Sequence, residues 1–138
     1  DSFYKNSRVN DIKKFKNQIN KMENFGVDII DIGAESTQPG AKSISIEEEI
    51  RRIEIYLKEL KFMNLNSLIS IDTRNQETMK KSLKYGISIL NDVSAFSDKK
   101  SQNLLSKNDI CGVIMHMQND PKNMQKHPKY FFPPTDNL

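Results

Sequence analysis

Four short apolar runs, each preceded by a stretch with helical periodicity, constrain the fold of this chain most strongly. The runs cover residues 27–32, 68–71, 87–90 and 111–115. Such runs are typical of parallel strands that are buried in a sheet, and helices between them supply the crossover connections. The pattern predicts an α/β fold with about four parallel strands and intervening helices. A doubly wound sheet and part of a (β/α)8 barrel both fit this pattern.

The predicted helices carry recognisable end signals. Residues 12–22 place apolar side chains at helical spacing, and Gly26 follows as a stop. Ser45 and Glu48 form a capping box at the start of the second helix, and Gly86 ends the third. The second helix has one apolar stripe, formed by Ile46, Ile50, Ile53, Leu57 and Leu60. No G-x-G-x-x-G segment follows a strand, which argues against dinucleotide binding.

Each predicted strand leads into polar residues. The strand ends carry, in chain order, Asp31, Asp72, Asn91 and His116. Because the carboxyl ends of parallel strands meet on one side of the fold, where ligands bind, we expect these side chains to lie close together. In particular, Asp72 and Asn91 should lie side by side.

Each of these residues also has a purely structural interpretation. Asp72 could cap the helix that begins near Asn75. Asn91 and Asp92 could form an Asx-turn. His116 ends an apolar strand, where a hydrogen-bonded core histidine is more common than a ligand-binding one.

The connection after the first strand is more specific. Gly33 and Gly40 permit backbone conformations that other residues avoid. Backbone N–H groups, together with the hydroxyls of Ser36 and Thr37, could hold phosphate oxygens, and Pro39 would stiffen the turn. An ordinary βα connection is the alternative, but this one is longer than usual, which favours function.

Composition excludes several classes of protein. The net charge of +3 is small and both signs are interspersed, which is typical of a solvated surface and not of a nucleic-acid site. No apolar run could span a membrane and no signal peptide opens the sequence, so we expect a cytoplasmic protein. Cys111 is the single cysteine, and its apolar neighbours predict a buried, inert thiol. His116 and His127 lack the spacing of metal ligands, so we predict no metal site within the chain.

Five segments of the sequence form an ordered set of motifs. They are Asp-Ser-Phe at 1–3, Asp-Ile-Gly-Ala-Glu-Ser-Thr-Gln-Pro-Gly-Ala at 31–41, Ser-Ile-Asp-Thr at 70–73, Ile-Leu-Asn-Asp-Val at 89–93 and Met-His-Met-Gln-Asn-Asp-Pro-Lys-Asn-Met-Gln at 115–125. Taken in this order, they resemble successive motifs of the dihydropteroate synthase family. The resemblance implies a (β/α)8 TIM barrel. Since the sequence starts without Met and ends without a periodic element, we expect residues 1–138 to form a single incomplete pterin-binding barrel domain.

The resemblance also implies a reaction of folate biosynthesis. In it, para-aminobenzoate displaces pyrophosphate from 6-hydroxymethyl-7,8-dihydropterin pyrophosphate and gives dihydropteroate. Mg2+ assists the leaving group, and its usual ligand in the family lies outside this chain. The two substrates are the implied partners, with a homodimer as a possible assembly.

Site residues follow from the motif positions. The resemblance implies that Asp72 and Asn91 hydrogen-bond the pterin ring, while Val93 and Met115 pack against it. It implies catalytic roles for Asp1 and Thr37. It places the remaining substrate contacts in the two loops, at Phe3, Ser36, Thr37, Gln38 and Pro39.

One departure from the family pattern keeps other functions open. The family usually has Arg where this chain has Gln38, and an amide cannot replace a bidentate, charged oxyanion partner. A pterin-binding homologue without synthase activity is therefore an alternative. A pterin-dependent corrinoid methyltransferase is a second, although the Glu-Ser-Thr-x-Pro-Gly loop favours the synthase. A non-enzymatic interaction domain is a third, and it leaves the polar strand ends unexplained.

Overall fold

The computed structural model describes residues 8–34 and 44–115. Helices and strands alternate in this part of the chain, as the apolar pattern predicts. In chain order the elements are α1 (Arg8–Asn24), β1 (Ile29–Gly33), α2 (Ile46–Leu60), β2 (Leu68–Asp72), α3 (Gln76–Ser82), β3 (Ile89–Asp92), α4 (Lys99–Lys107) and β4 (Cys111–Ile114). No helix within these two ranges is both long and apolar enough to cross a membrane.

The four strands form one parallel sheet in the order β1-β2-β3-β4. Each strand therefore pairs with the next along the chain, and the order never reverses. A doubly wound sheet needs such a reversal and helices on both faces. Consecutive pairing, with helices on one face, is instead the arrangement of successive βα units in a (β/α)8 barrel. The fold is thus part of a TIM barrel, and the doubly wound alternative is excluded.

One face of the sheet packs against the helices. Alternate strand residues supply its side of the core, namely Ile30, Ile32, Ile71 and Leu90. Helices α1, α2 and α3 supply the other side through Phe15, Ile19, Ile53, Leu57, Leu60 and Met79. The two sets of side chains face each other because strand residues alternate between the two faces of the sheet and each helix carries its apolar residues in one stripe.

The opposite face, which we call the open face, carries no helix among the described residues. It consists of Ile29, Asp31, Gly33, Leu68, Ser70, Asp72, Ile89, Asn91, Cys111 and Val113. Ile29 and Leu68 are about half exposed here, and every residue of β4 is exposed, so the prediction of buried strands is wrong for the open face of β1, for the start of β2 and for all of β4. The predicted burial of Cys111 is also wrong: its thiol is exposed, as are all residues of β4, the last strand of the described sheet.

The strand boundaries correct the prediction for β3. This strand runs from Ile89 to Asp92, two residues later than the apolar run 87–90. Its two polar residues therefore belong to the strand itself. An apolar pattern misses such residues because they end the run, although backbone pairing continues through them, as between Asn91 and Asp72.

The helix ends follow the predicted signals. Gly26 and Gly86 both adopt a left-handed conformation, with φ of 73°, which costs glycine little. The Ser45 side chain accepts a hydrogen bond from the Glu48 backbone N–H at 3.2 Å, as in a helix N-cap. At α4 the cap is Asp98, whose carboxylate accepts the backbone N–H groups of the first helical turn.

Glu23 links α1 to the segment before β2. Its carboxylate accepts the backbone N–H groups of Asn66 at 3.0 Å and of Ser67 at 2.9 Å. Hydrogen bonding from Ser67, followed by that from Asn66, lowers the pKa of Glu23 from 4.5 to about 2. A depressed carboxyl pKa favours the folded state at pH values above the unfolded pKa.

We predict that Glu23→Gln destabilises the protein at neutral pH and that this difference vanishes in acid. The stabilisation by Glu23 is complete above pH 4.5 and is lost as the pH falls towards about 2, where the carboxylate becomes protonated in the folded state. Urea denaturation at several pH values measures the difference. Glu77→Gln, an exposed change on α3, is the matched control. A difference between Glu23→Gln and wild type that persists unchanged at pH 2 would contradict the link.

Candidate functional site

The carboxyl ends of β1, β2 and β3 bring one row of residues into register on the open face. Gly33 pairs with Asp72, and Asp72 pairs with Asn91. Neighbouring strands lie about 4.8 Å apart, so the two polar side chains emerge next to each other at the end where such folds bind ligands. The prediction that Asp72 and Asn91 lie side by side is confirmed.

Gly33 keeps the space beside Asp72 open. A Cβ atom at this position would lie 3.3 Å from the Asp72 Cβ and 3.4 Å from its carbonyl oxygen. Those distances are tighter than ordinary packing, so a side chain here would crowd the carboxylate. The glycine that opens the long βα connection thus also shapes the site.

Asp31 orients the Asn91 amide. Asn91 Nδ2 donates to Asp31 Oδ2 at 3.1 Å. Because β2 lies between β1 and β3, this bond crosses the open face above β2, where Ser70 has a small side chain. The sequence places Asp31 at a strand end but gives no indication of this contact, which depends on the register of three strands.

Asp72 does not cap the following helix. The N-cap residue of α3 is Asn75, and the Thr73 hydroxyl accepts the Asn75 backbone N–H at 3.1 Å. Asp72 is instead the last residue of β2 and is half-buried on the open face. The alternative prediction, that Asp72 caps α3, is therefore wrong.

Asn91 and Asp92 have separate roles. The Asp92 carboxylate is 1% exposed and accepts the Ser94 backbone N–H at 2.8 Å, which closes an Asx-turn. It also accepts the Phe96 backbone N–H at 2.9 Å. The Asx-turn interpretation is thus confirmed for Asp92, while Asn91 points to the other face.

The turn after Asp92 is strained. Ala95 and Phe96 adopt left-handed conformations in succession, with φ of 55° and 52°. Such conformations cost energy for residues other than glycine and persist where the surroundings impose them. Here Asp92 holds the Phe96 N–H, and the Gln102 side chain donates to the Phe96 carbonyl at 2.9 Å.

A buried carboxylate, Glu49, stands behind the β2 end of the site. This residue of α2 is 1% exposed and accepts three side-chain hydrogen bonds, from Thr73, Asn75 and Thr78. Sequence analysis missed it. The available signal was its position four residues before Ile53, on the apolar face of α2, where a charged residue needs partners.

Glu48, one residue earlier, faces a different set of partners. Its carboxylate accepts hydrogen bonds from Arg51 at 2.6 and 2.7 Å and from Arg52 at 2.6 Å. Hydrogen bonds from Arg51 and then Arg52 lower the pKa of Glu48 to about 2. Arg52 also reaches the Ala34 carbonyl at 3.5 Å, which connects α2 to the start of the connection after β1.

The two apolar site residues lie near the same strand ends. Val93 follows Asn91 by two positions and is 8% exposed, yet it lies outside the helix-side core. Met115 directly follows β4 and is 37% exposed. The other predicted site residues, Asp1, Phe3, Ser36, Thr37, Gln38 and Pro39, lie outside the described residues, as does His116.

The part of the chain that the structure describes holds no cluster of metal-ligating side chains. Within 8–34 and 44–115, no three His, Cys, Asp or Glu side chains come together as metal ligands would. A bound Mg2+ would need several oxygen ligands in octahedral geometry. We therefore assign no chemical step to the metal in this part of the chain.

The whole sequence was compared with known proteins. Residues 1–132 match the family model described as pterin binding enzyme. Over 130 residues the chain is 37% identical to dihydropteroate synthase of Escherichia coli strain K12. That alignment covers 94% of this chain and 46% of the relative, so the chain spans less than half of the length of this curated relative.

Solved structures of dihydropteroate synthases are similar to this fold. The dihydropteroate synthase of Clostridium difficile, crystallised in the presence of pteroic acid, is 35% identical and superposes with a TM-score of 0.78, covering 86% of this chain and 45% of that one. The Thermus thermophilus enzyme in complex with 4-aminobenzoate is 34% identical, with a TM-score of 0.71. It covers 83% of this chain and 43% of that one.

We predict that Asp92→Ala lowers the free energy of unfolding by about 2–3 kcal/mol, because it removes a charged acceptor and leaves the buried Phe96 N–H without a partner. Urea denaturation followed by circular dichroism measures the change. Asp109→Ala, at an exposed position before β4, should stay within about 0.5 kcal/mol of wild type. Equal stability of Asp92→Ala and wild type would show that the turn holds its strained conformation without the carboxylate.

Proposed function

The chain belongs to the pterin binding enzyme family, and on this basis we propose that the intact protein is a dihydropteroate synthase. The reaction joins para-aminobenzoate to 6-hydroxymethyl-7,8-dihydropterin pyrophosphate and releases pyrophosphate. The observation that carries the proposal is the register pair Asp72–Asn91 at the carboxyl ends of β2 and β3. One relative with this fold was crystallised in the presence of pteroic acid and another in complex with 4-aminobenzoate.

The pair suits one edge of a pterin ring. An aminopyrimidinone presents N–H donors, which a carboxylate such as Asp72 accepts, while the Asn91 amide can both donate and accept. The hydrogen bond from Asn91 to Asp31 uses one amide N–H and fixes the amide in one orientation. Two oriented polar groups on adjacent strands would therefore select the ring and its position.

Asp72 has a second role in this proposal. As pyrophosphate leaves, positive charge develops on the dihydropterin, and a nearby carboxylate stabilises it more than it stabilises the neutral ground state. Val93 and Met115 would pack on the ring faces. Apolar packing there would exclude water and strengthen the interaction between Asp72 and the developing charge.

The loops complete the proposal by resemblance. Ser36, Thr37 and Pro39 would contribute to the para-aminobenzoate and pyrophosphate subsites, and Asp1 and Phe3 would close over the substrates. Mg2+ as cofactor, a cytoplasmic location and a homodimer remain expectations of the resemblance.

Gln38 favours one second candidate, a pterin-binding homologue without synthase activity. The family usually has Arg at this position, where a guanidinium would give a charge-assisted, bidentate contact to an oxyanion. Such a homologue would keep the Asp72–Asn91 pair and bind pterin, but it would not form dihydropteroate.

We predict that Asp72→Asn weakens the binding of dihydropterin pyrophosphate by about 1.5–3 kcal/mol, because it replaces a charged acceptor with an amide that matches the ring donors poorly. Titration calorimetry on the intact protein measures the dissociation constant. Asp28→Asn makes the same change at the opposite end of the sheet and should bind like wild type. Unchanged affinity in Asp72→Asn would remove Asp72 from the pterin site.

We predict that Gln38→Arg raises turnover roughly ten- to a hundredfold if the protein is a synthase, because it restores a charged contact to pyrophosphate or the para-aminobenzoate carboxylate. A steady-state assay of dihydropteroate formation measures it, with Gln38→Met as the uncharged control. Pterin binding without turnover in both wild type and Gln38→Arg would favour the inactive homologue. Equal, substantial activity in both would make Gln38 a neutral variation.

A further inference from the structure

We propose that Glu49 is a positioning residue of the pterin site, which acts through Thr73 on Asp72 and Asn91. The inference rests on the proposed function, because it assigns Glu49 a role in pterin binding. Glu49 itself lies on the helix side of the sheet, behind the open face. It therefore cannot touch a ligand bound there and acts only through the residues that it holds.

The carboxylate of Glu49 is fully engaged by three donors. Its Oε1 accepts the Thr73 hydroxyl at 2.6 Å. Its Oε2 accepts the Asn75 side-chain N–H at 2.5 Å and the Thr78 hydroxyl at 2.8 Å. Thr73 is 4% exposed and Thr78 is 0% exposed, so the two threonine hydroxyls donate to Glu49 away from water.

Thr73 connects this carboxylate to both members of the pterin pair. It directly follows Asp72 in the chain, and its backbone N–H donates to the Asn91 carbonyl at 3.0 Å. Its hydroxyl donates to Glu49 and accepts the Asn75 backbone N–H at 3.1 Å. Thr73, and with it the backbone directly after Asp72, is thus fixed by three hydrogen bonds, to Asn91, Glu49 and Asn75.

Glu49 forms no ion pair with another residue in 8–34 or 44–115. Its compensation comes from three hydrogen-bond donors and from its place in the first turn of α2, where the helix dipole favours negative charge. Removing a charged acceptor from such a network leaves buried donors without partners and lets the loop relax.

Thr73 and Thr78 provide a matched pair for the test. Both hydroxyls donate to Glu49 and both residues are buried, but only Thr73 adjoins Asp72 and bonds to Asn91. If the network merely joins α2 to α3, Thr73→Val and Thr78→Val should affect stability alone. If it positions the site, only Thr73→Val should affect pterin binding.

The experiment measures three quantities on wild type, Thr73→Val and Thr78→Val of the intact protein. They are the unfolding midpoint, the calorimetric Kd for dihydropterin pyrophosphate and the KM for para-aminobenzoate. We expect a roughly tenfold weaker pterin Kd for Thr73→Val and a change within about twofold for Thr78→Val. The KM for para-aminobenzoate should not change, and Thr73→Ser, which keeps the hydroxyl, should restore the pterin Kd.

Glu49→Gln keeps the inference testable if Thr73→Val does not fold. It preserves the side-chain shape and should also weaken pterin binding with an unchanged KM for para-aminobenzoate. Wild-type pterin affinity in the folded variants, or an equal loss in Thr73→Val and Thr78→Val, would overturn the positioning role. A wild-type protein that does not bind the pterin would instead overturn the proposed function, so the two failures are distinguishable.

Discussion

The alternation of side chains between the two faces of a strand separates stability from chemistry in this fold. In β1 to β3, Ile30, Ile32, Ile71 and Leu90 face the helices, whereas Asp31, Asp72 and Asn91 face away from them. A shift of one residue in register would exchange the two sets and bury the carboxylates among apolar side chains. The helix-side core therefore fixes the register, and the register places the polar groups side by side.

Support for the site comes from acidic side chains behind it. Asp92 holds the strained turn after β3, and Glu49 holds the connection after β2. Glu48 binds Arg52, which reaches the backbone after β1. Each carboxylate is saturated by donors, which is what makes a charge tolerable at a partly or fully buried position. The segments that follow β1, β2 and β3 are thus hydrogen-bonded to side chains of α2 and α4.

The sequence was informative where a local rule decides the structure. Parallel strands align their carboxyl ends, so apolar runs followed by Asp72 and Asn91 were enough to predict a pair at one end of the sheet. Cys111 was predicted wrongly because an apolar run does not tell that its strand lies at the edge of the described sheet, where all its residues are exposed. The sequence signalled that Glu49 lies on the apolar face of α2, but it did not reveal the partners, because these lie 24 to 29 positions further along the chain and meet Glu49 only in the fold.

The order of the strands has a consequence for how this part of the chain is assembled. Because each strand pairs with the next one in sequence, every βα unit can dock onto the one already made as the polypeptide emerges from the ribosome. Contacts between neighbours along the chain form quickly, since little loop entropy is lost. Until a covering layer is in place, however, Ile29, Leu68 and Val113 remain about half exposed on the open face. A growing sheet of this kind thus gains its helix-side core early, while the apolar residues of its open face stay uncovered for longer. At that stage such intermediates associate with one another or with chaperones.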